Sequence, residues 1–185
     1  IYNGARDNAL GVAAVLELAR VYAAAPRTAR SVVFLFVTAE EKGLLGSEYY
    51  AQHPLYPLAT TAAVYNTDGG SSAPTWDVAV AGDGKISLQD NLEEAAVHQG
   101  RRLSPDPRPE AGSFFRSDHF PFAKVGVPSI SLKEGNDYVG HSKEWGEEQF
   151  RAYNSAHYHQ PSDEMRDTWD FRGMIQEGEI ALAIG

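Results

Sequence analysis

The sequence predicts an α/β fold in which a mostly parallel sheet is flanked by helices. Four short apolar runs that indicate strands alternate with segments whose apolar residues recur at helical spacing. The first run, SVVFLFVT at residues 31–38, is almost entirely apolar and rich in β-branched and aromatic residues, which is typical of a strand covered on both faces. With 185 residues and 43% hydrophobic content, the chain has the size of one domain with a sizeable core.

The first half of the chain is predicted to place helices around this run and to add two more strands. The first helix follows Asp7 and ends before Pro26, and its apolar residues share helical spacing: Val12, Val15, Leu16, Ala19 and Tyr22. A second helix is expected over residues 43–53. TAAVYNTD at 61–68 and WDVAVAG at 76–82 are predicted to be buried strands.

The second half is predicted to begin with a turn at residues 82–84 and a helix over residues 87–98, which Gly100 ends. The proline-rich segment LSPDPRPEAG is expected to be a loop. Ser117 is a favourable N-cap for a short helix that leads into the strand VPSISL at 127–132.

Residues 133–160 are polar, rich in glycine and aromatic residues, and without clear periodicity, so they are predicted to form a long loop. A loop of this length in a compact domain is usually functional. Its Tyr138, His141 and Trp145 either contact a ligand or pack only within the loop. A last helix is expected from Phe171 onward.

Composition excludes several classes of protein. The formal charge of −9 and the scattered basic residues argue against a nucleic-acid partner. The absence of cysteine excludes disulfides and thiolate metal sites. No apolar run approaches the ~20 residues that span a bilayer. The chain starts at Ile1 without an initiator methionine or a leader, so we expect it to be a piece of a longer protein.

Carboxylates stand where the predicted strands end. Glu40 and Glu41 follow one strand, Asp68 follows the next, and Asp7 precedes the first helix. Taken singly, Asp7 is explained as a helix N-cap, the two glutamates as exposed acids, and Asp68 as a turn residue. Together they would repel one another at a single sheet edge unless a cation neutralised them, and open α/β sheets bind ligands at that edge.

Two histidines complete a candidate metal site. His157 and His159 lie in HYHQPSDE, and Asp163 is close enough in sequence to accept the second N–H of an imidazole. His53 and His98 are interpreted as surface residues. Carboxylate and imidazole ligands without thiolate suit zinc, with manganese or cobalt as substitutes. Because adjacent side chains point in different directions, one glutamate could bind metal while the other accepts a proton from water.

The motifs together resemble those of the co-catalytic di-zinc aminopeptidases, a family that includes leucyl aminopeptidases and glutamate carboxypeptidase II-like zinc exopeptidases. The matching segments follow the family's order: GARDNALGVAAVLELAR, FLFVTAEEKGLLGSEYY, NTDGG, RSDHFPFAKVGVP and YHQPSDE. The resemblance implies a three-layer αβα fold with a mostly parallel mixed sheet, and a single zinc-peptidase catalytic domain over residues 1–185.

The resemblance also implies roles for individual residues. Asp7 would bridge two zinc ions, Glu41 and His159 would bind one of them, and Asp68 would bind the other. Glu40 would be the general base that takes a proton from the attacking water and passes it to the leaving amine. Tyr158 matches a position whose phenol stabilises the oxyanion in several relatives, or it packs beside the site.

Other parts of the resemblance concern the surroundings of the site. Asp118 would lie behind the ligands or face the substrate, and His119 would fix its loop. The family's remaining histidine ligand lies upstream of the bridging aspartate, whereas this chain has no histidine before His53. We therefore expect the first strands and one ligand to lie outside the chain, and this fragment to be inactive if that ligand is essential. Relatives with RSDHFPFAKVGVP tend to carry a signal peptide, which implies a periplasmic or extracellular protein.

The function implied by the resemblance is removal of N-terminal amino acids from peptides. One alternative is a glutaminyl cyclase-like acyltransferase, which shares the fold and a DH-containing loop but uses one zinc. Another is a metal-free interaction domain of the same fold. The glutamate pair and the YH motif favour the peptidase, while the preferred side chain at the cleaved residue and the oligomeric state are left open.

Overall fold

The computed structural model describes residues 2–71, 73–81 and 88–185. Its four-stranded sheet contains β1 (Val64–Asn66), β2 (Asp77–Val80), β3 (Arg102–Pro105) and β4 (Ser129–Glu134) in the order β1-β4-β2-β3. β1 pairs in parallel with β4, β2 in parallel with β3, and β2 antiparallel with β4. The predicted mixed sheet flanked by helices is therefore confirmed.

Six α-helices accompany the sheet in the described part of the chain. They are α1 (Leu10–Ala24), α2 (Leu45–Gln52), α3 (Gln89–His98), α4 (Phe120–Lys124), α5 (Lys143–Ala156) and α6 (Arg172–Ile184). Helices α3 and α6 pack against each other, and α1 contacts α6. None of the described helices is both long and apolar enough to cross a membrane.

The core lies between the sheet and helices α3 and α6. Strand β2 is buried along its whole length because it runs between β3 and β4. Its side chains meet the apolar faces of β4 and the two helices, and the cluster consists of Val78, Val80, Leu92, Ala95, Ala96, Ile130, Leu132 and Ile180. This packing holds the edge of the sheet at which β1 and β4 end.

The prediction of a buried strand over residues 31–38 is wrong. The segment pairs with no other described strand, and its apolar side chains are largely exposed, with Val33 at 50% and Phe36 at 48%. An apolar run becomes a strand only where a neighbour supplies hydrogen bonds for its backbone and a surface for its side chains. Helix α1 is also largely open, since Val12 and Leu16 are exposed.

Two predicted loops contain regular elements. The proline-rich loop begins with β3, an edge strand that tolerates Pro105 at its end. The predicted loop over residues 133–160 contains α5, whose N-cap Ser142 accepts a hydrogen bond from the backbone N–H of Trp145. The capping serine and the helix-forming residues after it could have indicated this helix in the sequence. The predicted turn at residues 82–84 and the start of the third helix at Ser87 lie outside the described residues.

Candidate metal centre

Asp7, Glu41 and His159 come together from three distant parts of the chain. Nε2 of His159 lies 2.8 Å from Oε1 of Glu41 and 3.2 Å from Oδ2 of Asp7. One potential ligand atom from each residue lies within 4.8 Å of the other two. Among the described residues, this is the group of three or more acidic or imidazole side chains that could share one ion.

Asp7 lies in an irregular turn, Ala5–Ala9, and α1 begins only at Leu10. The buried carboxylate of Asp163 accepts the backbone N–H groups of Arg6, at 3.1 and 3.2 Å, and of Asp7, at 3.0 Å. The prediction that Asp163 orients an imidazole is therefore not what the structure shows. Asp163 instead fastens the Asp7 turn to the segment that carries His159.

Asn8 connects the Asp7 turn to the turn that carries Asp68. Its Oδ1 accepts the backbone N–H of Gly69 at 2.9 Å, and its Nδ2 donates to the carbonyl oxygen of Thr67 at 3.2 Å. The same Oδ1 accepts the N–H of Gly11, which lies in the first turn of α1. A Cβ at Gly11 would lie 2.7 Å from the Thr67 oxygen, so only glycine permits this approach.

Asp68 follows β1 and is oriented by Ser117, which was predicted to be a helix N-cap. The hydroxyl of Ser117 donates to Oδ2 of Asp68 at 2.6 Å and accepts from Nδ2 of Asn66 at 2.8 Å. Ser117 is therefore not the N-cap of α4, whose N-cap is His119. The predicted cap was wrong because the partly buried carboxylate of Asp68 accepts the hydrogen bond of the same hydroxyl.

Glu40 and Glu41 lie in a short 3₁₀ turn, Glu40–Lys42, instead of at the end of a strand. The turn is bounded by Ala39 at φ 58° and Leu44 at φ 61°, a left-handed conformation that non-glycine residues rarely adopt. Such strain is common at functional sites, where the surrounding structure maintains it. A Cβ at Gly46 would lie 2.5 Å from the Thr38 oxygen, so glycine lets α2 start directly against this turn.

Mutual repulsion and burial perturb the carboxylates of this cluster. Burial, followed by the charges of Asp68 and Glu41, raises the pKa of Asp7 to about 6. Burial and the same two neighbours raise the pKa of Glu40 to about 7. A cation bound between these groups would remove the repulsion.

A cleft of about 720 Å³ opens over the cluster. Asp7, Glu40, Glu41, Asp68 and His159 all line it, as does Tyr158. The Tyr158 ring stacks on the His159 ring with centroids 3.8 Å apart. The Tyr158 phenol is a hydrogen-bond donor at neutral pH, and burial raises its pKa further above the ordinary value.

The other histidines and aspartates singled out by the sequence lie around this cluster. Both ring nitrogens of His157 face Arg166, at 2.7 and 3.1 Å, and Nδ1 also contacts the Ser162 hydroxyl. Asp118 accepts a hydrogen bond from Ser47 at 2.6 Å. His119 is fully buried against the Phe114 ring, and burial lowers its pKa to about 4.

The aromatic residues of the predicted loop contact one another. The His141 ring stacks on Trp145 at 3.9 Å, and Tyr138 meets Trp145 edge-on at 4.9 Å. None of the three is among the described residues that line the cleft. These contacts favour packing over contact with a ligand in this cleft, and Trp145 also lines a separate, smaller cavity beside Asp163.

The donor set fits a divalent cation. It offers one imidazole nitrogen and two carboxylates close enough to share an ion, and mixed nitrogen and oxygen ligands of this kind suit zinc. Asp68 belongs to the same cluster, since its charge raises the pKa values of both Asp7 and Glu40. Sequence reasoning identified these carboxylates but missed Asn8, Ser117 and the contacts of Asp163, because the sequence contains no sign of their partners.

Comparisons with known proteins identify relatives in sequence and in fold. The chain is 30% identical over 187 residues to leupeptin-inactivating enzyme 1 of Streptomyces exfoliatus, covering 98% of this chain and 41% of the relative. An aminopeptidase from Aneurinibacillus sp. strain AM-1 has a similar structure, with a TM-score of 0.70, 25% identity and coverage of 99% of this chain and 39% of the other.

A glutaminyl cyclase of Porphyromonas gingivalis shares the fold, with a TM-score of 0.64 and 19% identity, covering all of this chain and 66% of the other. The chain spans 41% of the length of leupeptin-inactivating enzyme 1 and 39% of the length of the Aneurinibacillus aminopeptidase. The sequence profile of Peptidase family M28 matches residues 1–183. The chain belongs to Peptidase family M28.

Proposed function

We propose that the protein is a zinc-dependent exopeptidase that removes N-terminal amino acids from peptides. The observation that carries the proposal is the group formed by Asp7, Glu41 and His159 in an open cleft, with Glu40 directly beside it. Membership of a peptidase family supports hydrolysis of peptide bonds. The similarity to a solved aminopeptidase supports action at the N-terminus.

In this proposal, Asp7, Glu41 and His159 would hold one zinc ion, and Asp7 with Asp68 would help to hold a second. The first of these groups is the one whose potential ligand atoms lie within 4.8 Å of one another among the described residues. Zinc, when bound, polarises the scissile carbonyl and increases the acidity of the attacking water.

Glu40 is the proposed general base. Its side chain lies in the cleft next to a metal ligand but is absent from the group that shares an ion, so it is available for proton transfer. It would accept a proton from water and return it to the departing amine. The Tyr158 hydroxyl, which also lines the cleft, would donate a hydrogen bond to the carbonyl oxygen as negative charge develops there.

The test uses aminoacyl-nitroanilides with the protein in zinc-containing buffer and after treatment with a chelator. Activity that disappears on chelation and returns with zinc is expected.

Glu40→Gln should retain zinc and lower turnover by roughly 10²- to 10⁴-fold, because it removes the base without removing a ligand. His159→Ala should instead lower the zinc content, and the exposed Glu94→Gln serves as the control. A Glu40→Gln variant with substantial turnover would exclude Glu40 as the base.

A glutaminyl cyclase-like acyltransferase is the second candidate, because a solved cyclase shares the fold. A peptide with N-terminal glutamine separates the two activities. Cyclisation releases ammonia and leaves the peptide otherwise intact, whereas an aminopeptidase releases free glutamine. We expect free glutamine.

We also propose that the protein acts outside the cytoplasm, in the periplasm or the extracellular space. The support is the resemblance of RSDHFPFAKVGVP to a motif found in exported relatives. Fractionation of the source cells, with zinc-dependent peptidase activity followed in each fraction, tests this proposal. Activity confined to the cytoplasmic fraction would contradict it.

A further inference from the structure

The carboxylates of Asp7 and Asp68 come from two separate turns, so no covalent linkage fixes the distance between them. That distance matters in a two-ion centre, because misplacing a reacting group by about 1 Å lowers a rate substantially. Asn8 connects the two turns on one side of Asp7. The residue on the other side, Arg6, makes a second connection.

The guanidinium of Arg6 contacts both elements that end at this edge of the sheet. Its Nη2 donates to Oε1 and Oε2 of Glu134 at 2.6 and 2.8 Å, and its Nε donates to the carbonyl oxygen of Gly70 at 3.2 Å. Gly70 lies two residues beyond Asp68, and Glu134 is the last residue of β4. Since β1 and β4 are parallel neighbours, their ends lie side by side and one guanidinium reaches both.

The environment of Arg6 makes these contacts more restrictive than an ordinary surface ion pair. The Arg6 side chain is only 15% exposed, and its guanidinium lies 4.3 Å from the centre of the Tyr153 ring. The hydroxyl of Tyr138 donates to Oε2 of Glu134 at 3.2 Å and limits the carboxylate's rotation. Buried, multiply hydrogen-bonded pairs are less screened and more geometrically defined than exposed ones.

The backbone of Arg6 is held as firmly as its side chain. Its N–H donates to the buried carboxylate of Asp163, which also accepts the N–H of Asp7. Arg6 therefore connects four segments: the Asp7 turn, the Asp68 turn, the end of β4, and the segment that follows His159. By contrast, Arg102 pairs with Asp137 at the surface, where its side chain is largely exposed.

We propose that Arg6 is a positioning residue that fixes the separation of the Asp7 and Asp68 carboxylates, and with it the spacing of the cations they hold. The proposal rests on the metal centre of the proposed function but does not require that the reaction be peptide hydrolysis. Arg6 lines the cleft next to Asp7. Its guanidinium is positively charged and has no acceptor atom, so Arg6 is not itself a metal ligand.

The first test measures metal binding. Zinc affinity is measured by calorimetry, and the cobalt-substituted protein is examined by electron paramagnetic resonance, because magnetic coupling between two cobalt ions depends on their separation. Arg6→Ala should weaken binding of the second ion by about 10- to 100-fold and reduce the coupling. Arg102→Ala, which breaks a surface pair, should change neither. Unchanged affinity and coupling in Arg6→Ala would overturn the proposal.

Two conservative variants separate positioning from general stability. Arg6→Lys keeps the positive charge but loses the guanidinium that bonds to Glu134 and Gly70 together, so it should recover part of the affinity for the second ion. Glu134→Gln leaves Arg6 in place but removes the charge that anchors it, so it should weaken the second ion in the same direction. If both variants bind two ions as tightly as the wild type, the ion pair does not set the spacing, whatever Arg6→Ala does to folding.

Turnover supplies a second readout that also separates this proposal from the proposed function. With zinc saturating, Arg6→Ala should lower kcat by about 10-fold or more while KM changes by less than about 3-fold, since ligand spacing affects the reacting geometry more than substrate binding. A wild-type protein that shows Arg6-dependent cobalt coupling but no peptidase activity would support the positioning role and overturn the proposed function. An active wild type with kcat unchanged in Arg6→Ala would overturn the positioning role alone.

Discussion

Segment 31–38 and strand β2 are both runs of apolar residues, but their environments differ completely. Val78 of β2 is fully buried between two neighbouring strands, whereas Val33 is half exposed in a segment that pairs with no described strand. Both runs contain valine, and residues 31–38 add the bulkier side chains of phenylalanine and leucine. The difference shows that burial of a strand depends on its neighbours more than on its own residues.

The candidate metal centre spans both environments. Asp68 follows the paired strand β1 and is oriented by Ser117, so the packed sheet positions it. Glu40 and Glu41 follow the open segment and depend on a local turn with left-handed residues at its ends. One half of the site is thus held by tertiary packing and the other half by backbone geometry.

The largest expected effect comes from placing a charge in each run. Val78→Asp should lower the free energy of unfolding by more than about 3 kcal/mol, because it buries an unpaired carboxylate. Val33→Asp should change it by less than about 0.5 kcal/mol, because its side chain already meets water. Urea denaturation of both variants measures the difference. Equal losses would mean that segment 31–38 is buried in solution and would remove the basis of the comparison.

A smaller effect is expected from the buried carboxyl of Glu177 in the packed region. Burial, with the nearby charge of Glu134, raises the pKa of Glu177 from 4.5 to about 7. The folded state then binds this proton more tightly than the unfolded state, so the contribution to stability is complete below about pH 4.5 and is lost as pH rises to about 7.

Glu177→Gln should flatten this decline by roughly 1 to 3 kcal/mol between pH 5 and 7.5, as measured by denaturation at each pH. Zinc should be included, because Asp7 and Glu40 also have raised pKa values in the metal-free protein and would add to the same slope. A variant whose stability follows the wild-type pH profile in zinc would show that Glu177 ionises at its ordinary pKa.

The smallest expected effect concerns the turn that holds the glutamate pair. Ala39→Gly should stabilise the protein by about 0.5 to 1 kcal/mol, since glycine adopts φ 58° without the steric penalty that alanine incurs. Ala19→Gly in helix α1 is the matched control and should destabilise by about 1 kcal/mol. Thermal unfolding of the two variants gives the comparison. If Ala39→Gly destabilises as much as the control, the turn is not strained in solution.

Prediction from the sequence worked best for elements that a local residue pattern indicates without reference to other segments. Helices over residues 45–52, 89–98 and 172–184 and the buried strands β2 and β4 were indicated by periodicity and by runs of apolar residues. It failed for residues 31–38 and for α5. In both, the outcome depended on contacts with other segments, or on a single capping serine within a polar stretch.

The candidate site shows the same division. Glu40, Glu41 and Asp68 were predicted as site residues because they follow apolar runs, and His159 was predicted from the resemblance of YHQPSDE to a family motif. The structure brings Glu41 and His159 together with Asp7. The partners of these residues were not found. Ser117 was expected to cap a helix and Asp163 to orient an imidazole, yet both hydrogen-bond to groups more than forty residues away, Ser117 to Asp68 and Asp163 to Asp7, with sequence separations of 49 and 156.

By itself, the sequence determined the α/β class and the acidic and imidazole chemistry of the site, because residue types and short-range periodicity suffice for both. Only the tertiary structure decided which apolar run is buried and which carboxylates meet. Those outcomes require backbone partners from distant strands, as for β1 beside β4, and side chains such as Arg6 that span separate turns. Such pairings are set by three-dimensional packing, and no local pattern encodes them.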